Sequence, residues 1–281
     1  MTYKSDDNVW EFEVDHLKWL IRLVRYHGDE KKVTVSEFFD SIGANAFYGT
    51  SITEIFFEND DIILEESAFR GSNIERISLP KKMKRIENNT FAGSSKLKNI
   101  KVPEGLQYIG KSAFESCEAL SCVILPDSLQ IIDNRAFSRS GLVTLSIPQN
   151  TTLIGDHAFD HCQKLRSTDI KGAKYIGEAA FAECYNLEKV NLPESLLSIG
   201  HYAFIKNAKL KQLVLPDSLL DIGELAFAGI KYMKVSSPSS LENHIKYFFR
   251  EDSLNNNTTT VFFDPEPLNT IFDKTAHITF R

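Results

Sequence analysis

The chain has 281 residues and a mass of 31.8 kDa, and with 42% hydrophobic and 25% charged residues it has the composition of a globular protein rather than a disordered or collagen-like one. A formal charge of −6 and a pI of about 5.7 argue against a general nucleic-acid binder or a protein held on anionic membranes, and no stretch approaches the roughly 18 apolar residues a spanning helix needs. One count stands out: 20 Phe against 9 Tyr and 2 Trp.

The opening residues, MTYKSDDNVWEF, lack an apolar core flanked by basic residues. That predicts a cytoplasmic location, with a cell-surface or secreted one if the native leader is missing. Residues 1–35 are expected to form a strand-rich cap, from WEFEV (10–14), WLIRLVRY (19–26) and KKVTV (31–35) with turn-prone stretches between them. Val14, Leu17, Ile21 and Val24 fall at helical spacing, so an amphipathic helix is the rival reading there.

From residue 36 to 238 the chain repeats itself. Phe47, Phe69, Phe91, Phe114, Phe137, Phe159, Phe181, Phe204 and Phe227 recur every 22 or 23 residues. Ala precedes each of them except at Thr90, and Ile stands five residues before each, with Leu64 in the second copy. A second pattern, L-x-x-V-x-L-P, follows the Phe in LSCVILP (120–126), LEKVNLP (187–193) and LKQLVLP (210–216). Its alternation is that of a short strand with one buried face, stopped by a proline that cannot donate to a ladder. A unit this small cannot bury its own apolar side, so the copies are expected to stack into a mainly β solenoid of about nine coils. The Phe rings would then form an interior column, with strands about 4.8 Å apart.

After Pro238 the repeat stops. SSLENHIKYFF (239–249) predicts a short helix behind a serine N-cap, and VFF (261–263) and HITF (277–280) predict short strands, so residues 239–281 are expected to form a C-terminal cap.

The consensus L-x-x-V-x-L-P-x-S-L-x-x-I-G-x-x-A-F-x-x-C resembles the BspA-type leucine-rich repeats, also called the Treponema pallidum type. LPDSLQIIDNRAF (125–137), LPESLLSIGHYAF (192–204) and LPDSLLDIGELAF (215–227) match it almost position for position. Ser128, Ser195 and Ser218 stand where the commoner leucine-rich pattern has Asn or Cys, and Gly105 stands there in another copy. The resemblance implies a leucine-rich-repeat solenoid entered through a β-hairpin, in a family of bacterial and protist proteins, many surface-exposed and implicated in adhesion and protein recognition. It brings no catalytic residues.

Candidate chemistry is sparse. Cys117, Cys162 and Cys184 each lie three residues after a Phe, and the last two are in consecutive coils, within reach of a disulfide. Ser72, Ser94 and Ser140 share that station, which favours a buried column of small residues, while Cys122 faces outward as a free thiol. His157, His161 and Cys162, with His201 nearby, read better as separate side chains than as a metal site. KKMKR (81–85) and the acidic positions Glu104, Asp127, Glu194 and Asp217 read as solvated turns. No nucleotide, hydrolase or zinc-protease motif is present, so no enzyme activity, cofactor or metal is expected.

What remains is the outward side of the strands. One row runs Ser78, Lys101, Ile124, Ser146, Asp169, Asn191, Val214, and its neighbour runs Asn99, Cys122, Thr144, Ser167, Lys189, Gln212. Both are mixed and mostly uncharged, without the basic stripe a nucleic acid needs. Lys101, Ile124, Ser146, Asp169, Asn191 and Val214 are therefore the expected binding residues of a non-enzymatic module for a protein partner, with no nucleic acid and no membrane insertion. A surface adhesin, and a structural protein self-associating end to end through its caps, are the alternatives.

Overall fold

The computed structural model describes residues 2–230 and two further strands, Tyr232–Ser236 and Thr260–Phe263. The helix expected at 239–249 and the strand at 277–280 lie outside the described residues. Among the described residues there is no α-helix, and the repeat forms a β-solenoid of about nine turns.

The coils build two parallel ladders, the front one missing a strand at residues 121–125. The front ladder takes the L-x-x-V-x-L-P segments: Lys32–Val35, Glu54–Phe57, Arg76–Ser78 and Asn99–Lys101 pair in order, then Thr144–Ile147, Ser167–Ile170 and Lys189–Asn191, and finally Gln212–Val214 with the two further strands. The back ladder takes the dipeptides ending in the conserved-spacing Ile, seven of which pair from Arg85–Ile86 to Asp221–Ile222. The core lies between the ladders, where all nine repeat Phe residues are completely buried. Their rings are stacked in one column, with neighbouring centroids 4.9 to 5.6 Å apart and planes within 12° of parallel. That spacing follows from the ladders, whose strands stand about 4.8 Å apart.

The turn carrying each Phe has its own ladder. The residues two before and two after every Phe are left-handed, from Asn45 (φ 57°) and Gly49 (φ 72°) to Leu225 (φ 56°) and Gly229 (φ 77°). With these kinks, alternate amides point along the stack: His157, Phe159 and His161 donate to Glu178, Ala180 and Ala182 of the next coil at 2.7, 2.7 and 2.9 Å. The amides between them donate backward within the coil, as Asp160 does to the His157 carbonyl at 3.1 Å. Left-handed backbone costs a non-glycine residue about 1 kcal/mol or more, and the cross-coil bonds offset it. The small Ala before Phe supplies the carbonyl that the previous coil's Phe amide meets.

The station three residues after Phe is polar for a related reason. Ser94 Oγ donates to the Phe69 carbonyl at 2.8 Å, Cys117 Sγ to Phe91 at 3.2 Å, Cys162 Sγ to Phe137 at 3.1 Å, Cys184 Sγ to Phe159 at 3.2 Å and Asn207 Nδ2 to Phe181 at 2.9 Å. The serines of the L-P-x-S-L turns work alike, Ser128 Oγ reaching the Leu106 carbonyl and Ser218 Oγ the Leu196 carbonyl, both at 2.6 Å. These small donors satisfy buried carbonyls that would otherwise lack a second partner.

Four coils are a residue shorter than the others, and in two of them a glycine makes the shortcut feasible. A Cβ on Gly141 would lie 2.1 Å from the Glu118 carbonyl oxygen, and one on Gly172 would lie 1.7 Å from that of Gln149. The front ladder breaks beside the first shortcut: residues 121–125 form no strand, although the sequence predicts one in LSCVILP. Gly141 draws its coil onto residues 117–121, where its amide meets the Cys117 carbonyl at 3.1 Å and that of Val143 meets Ser121 at 3.0 Å, and the regular pairing resumes only at Thr144.

At the N-terminus the helical alternative is not adopted. β1 (Thr2–Lys4), β2 (Trp10–Asp15) and β3 (Leu20–Tyr26) are antiparallel, with a bulge between Glu11 and Phe12, and β3 pairs in parallel with Ser41–Ile42. The hairpin closes this end of the Phe column: the Tyr26 ring lies 5.8 Å from that of Phe47, and Trp10 packs on Tyr26 at 4.8 Å. Arg22 ties it to the second coil through three bonds of 2.8 to 2.9 Å to Glu65.

Candidate recognition surface

The front ladder fixes the geometry of the outward row. Because side chains alternate between faces along a strand, burying Ile77, Val123, Leu145, Thr168, Val190 and Leu213 turns their neighbours to solvent. The register places Thr34 beside Phe56, Lys101 beside Ser78, and Ser146, Asp169 and Asn191 side by side. Lys101, Ile124, Ser146, Asn191 and Val214 are exposed and Asp169 is half-buried. Asn191 Nδ2 donates to Asp169 Oδ1 at 3.1 Å, which holds these two side chains together. Ile124 is the most open of the six, 82% exposed on the stretch where the ladder is broken. The face thus carries isolated apolar side chains, Phe56, Ile124 and Val214, among small polar ones. Phe56 escapes the sequence reading because its copy, ITEIFF, lacks the closing Leu-Pro.

The back ladder has an outward row of its own, outside the L-x-x-V-x-L-P pattern. Tyr108, Ile131, Leu153 and Tyr175 are direct neighbours in the register, each just before the buried Ile of its coil. Arg85 stacks its guanidinium 3.9 Å from the centre of the Tyr108 ring, and the Tyr108 hydroxyl donates to Asp133. Burial, reinforced by that carboxylate, pushes the Tyr108 phenol up to about 12. The signal was present in the dipeptides YI, II, LI and YI.

The remaining candidates separate. Cys117, Cys162 and Cys184 are free, buried thiols, and burial pushes all three up, Cys162 to about 12, so they stay protonated and unreactive. Cys122 is free and exposed. The Cys162 sulfur meets the buried Phe137 carbonyl, whereas the His157 and His161 rings both face the Asp160 carboxylate, at 3.4 and 2.7 Å. His161 meets Asp160 at 2.7 Å and Glu183 of the next coil at 3.0 Å. Among the described residues no group of three or more His, Cys, Asp or Glu is placed to hold a metal ion. Lys81 and Lys82 of the basic run pair with Asp60 and Asp61 of the preceding coil at 3.1 and 2.7 Å. Among the described residues no helix is long and apolar enough to cross a membrane.

The 22–23-residue period, the paired parallel ladders and the Phe column define a leucine-rich-repeat β-solenoid. The sequence matches the family described as BspA type leucine rich repeat region, in six copies over residues 26–144 and 131–258, and the chain belongs to that family. It is similar to the solved leucine rich repeat protein of T. pallidum, with 23% identity and a TM-score of 0.54 over 89% of this chain and 98% of that one. It is also similar to the pneumococcal vaccine antigen PcpA, with 19% identity and a TM-score of 0.51 over 84% of this chain and 81% of that one. These likenesses show the fold. No curated protein matches the sequence.

Proposed function

We propose that the chain is a non-enzymatic recognition module that binds a protein partner across the front face, with Lys101, Ile124, Ser146, Asp169, Asn191 and Val214 as contact residues. One observation carries the reading: the outward row sets the exposed apolar side chains of Phe56, Ile124 and Val214 among small, mostly uncharged ones. Apolar anchors ringed by polar residues are the usual make-up of a protein-binding patch, and stacked repeats commonly use such extended surfaces. Glu54 stands between Lys32 and Arg76 in the register and Asp169 lies on the strand beside that of Lys189, so the positive side chains form no continuous stripe of the kind that would attract phosphates.

The test is a pull-down with the full chain against one carrying Ile124→Asp and Val214→Asp together. Both side chains are exposed, so the double variant is expected to keep the wild-type melting temperature and to lose its partner. Partner recovery equal to wild type, from a folded variant, contradicts the proposal.

A further inference from the structure

Three large apolar side chains stand in solvent at the tip of the β2–β3 hairpin: Leu17 is 94% exposed, Trp19 77% and Leu20 45%. The tip is held in one shape. Asp15 Oδ1 accepts the amides of Leu17 and Lys18 at 2.9 and 3.2 Å, and the ladder closes with Asp15 opposite Leu20. His16 stands edge-on to the Trp19 ring at 6.4 Å, and its Nε2 meets the Tyr3 hydroxyl at 3.2 Å. Trp19 has φ 55°, a left-handed backbone that strains a bulky aromatic and that glycine or asparagine would adopt freely. An open, strained tryptophan adds nothing to the core, and strain of this kind gathers where a surface has a task. Near the tip the carboxylates are engaged, Glu13 with Arg22 and Asp15 with the two amides, and Glu11 further down meets His27. Lys18, between the two most exposed side chains, forms no salt bridge among the described residues.

We infer that the hairpin tip is a separate docking point, inserting Trp19 and Leu17 into an apolar pocket of a protein partner whose rim carries carboxylates facing Lys18. A pre-formed tip loses little freedom on entering a shaped pocket, whereas a fluid bilayer demands no fixed geometry. The cation at the tip calls for an acidic rim, and tryptophan is among the side chains that dominate such contacts. The inference does not depend on the front face.

The test uses the full chain with the photo-crosslinking residue p-benzoylphenylalanine in place of Leu20, which borders the tip. The protein it captures is purified and titrated against wild type, Trp19→Ala, Lys18→Glu and the front-face double variant. Trp19→Ala is expected to weaken binding at least tenfold, and Lys18→Glu several-fold. Added salt is expected to weaken wild type more than Lys18→Ala. Trp19→Gly is expected to melt no lower than wild type, which separates lost binding from lost structure. The front-face variant is expected to give the same adduct, so failure of one surface is distinguished from failure of the other. Absence of any adduct, or equal affinity for Trp19→Ala, overturns the inference. So does a blue shift of Trp19 emission on vesicles of phosphatidylcholine and phosphatidylglycerol, read in a Trp10→Phe background, which would make the occupant a bilayer. Concentration-dependent sedimentation abolished by Trp19→Ala would make it a second copy, with the same consequence.

Discussion

Replacing Phe159 by alanine removes one ring from the middle of the column. The ring is fully buried and lies 5.4 Å from Phe137 and 5.0 Å from Phe181, nearly parallel to both. Lost burial and the cavity left behind set the cost at about 3–5 kcal/mol. The two ring contacts, worth about 0.5–1.5 kcal/mol each beyond burial, place it in the upper half of that range. Phe159→Leu keeps most of the volume and loses the contacts, so it is expected to cost about 1–2 kcal/mol. The Phe159 and Phe181 amides donate to Ala180 and Ala203 through backbone alone, so the turn ladder has no side chain to lose. In a stack where each coil touches only its neighbours, a weak central coil lets the two halves unfold separately. Urea unfolding followed by far-UV circular dichroism is therefore expected to show a lower midpoint and a shallower slope for Phe159→Ala. A loss under about 1 kcal/mol with an unchanged slope, for both Phe159→Ala and Phe181→Ala, would refute a shared buried column.

Three further outcomes follow from named contacts. Cys162→Ala removes the donor to the Phe137 carbonyl and is expected to cost about 1 kcal/mol in the same melt, whereas Cys162→Ser keeps a donor and stays closer to wild type. Gly172→Ala drives a methyl group into the Gln149 carbonyl and is expected to cost about 2–3 kcal/mol, and a neutral result would contradict the shortened coil. Burial pushes the Glu65 carboxyl up, but its bonds from Arg22 and Ser41 outweigh that and hold it below the ordinary value of 4.5. A lowered carboxyl contributes stability that is present above the ordinary value and lost as pH falls through the folded one. Glu65→Gln should therefore cost about 0.5–1 kcal/mol at pH 7, allowing for partial exposure, and converge on wild type once acid has protonated the folded carboxyl. A difference that persists unchanged in acid would point to packing instead.

The regular part of the fold was legible because each coil repeats the same burial problem. Phe, the Ile five before it and the strand Leu must return to one interior, so their spacing shows in the sequence. The left-handed turn was hidden because Arg139, His161, Glu183 and Lys206 fill the station that Gly49, Gly71 and Gly93 fill in the early coils. Cross-coil hydrogen bonds override local preference there, and side-chain identity then carries no sign of the conformation. The Ser, Cys and Asn after Phe read as merely small, since their acceptors belong to the preceding coil, some 25 residues away in sequence. The break at Cys122 and Ile124 was invisible in LSCVILP itself, because its apolar alternation is that of the segments that do pair. Of the surface, the front row follows from the L-x-x-V-x-L-P pattern and the row from Tyr108 to Tyr175 from the residue before each spaced Ile, whereas Phe56 is hidden because its copy, ITEIFF, lacks the closing Leu-Pro.

Hydrogen exchange of the chain with and without its captured partner tests front-face recognition most directly. Slowed exchange is expected in Asn99–Lys101, residues 121–125, Thr144–Ile147, Ser167–Ile170 and Lys189–Asn191, with the Phe-turn amides unchanged because the next coil already holds them. Protection confined to the back-ladder dipeptides, with the front strands exchanging as in the free chain, would contradict it.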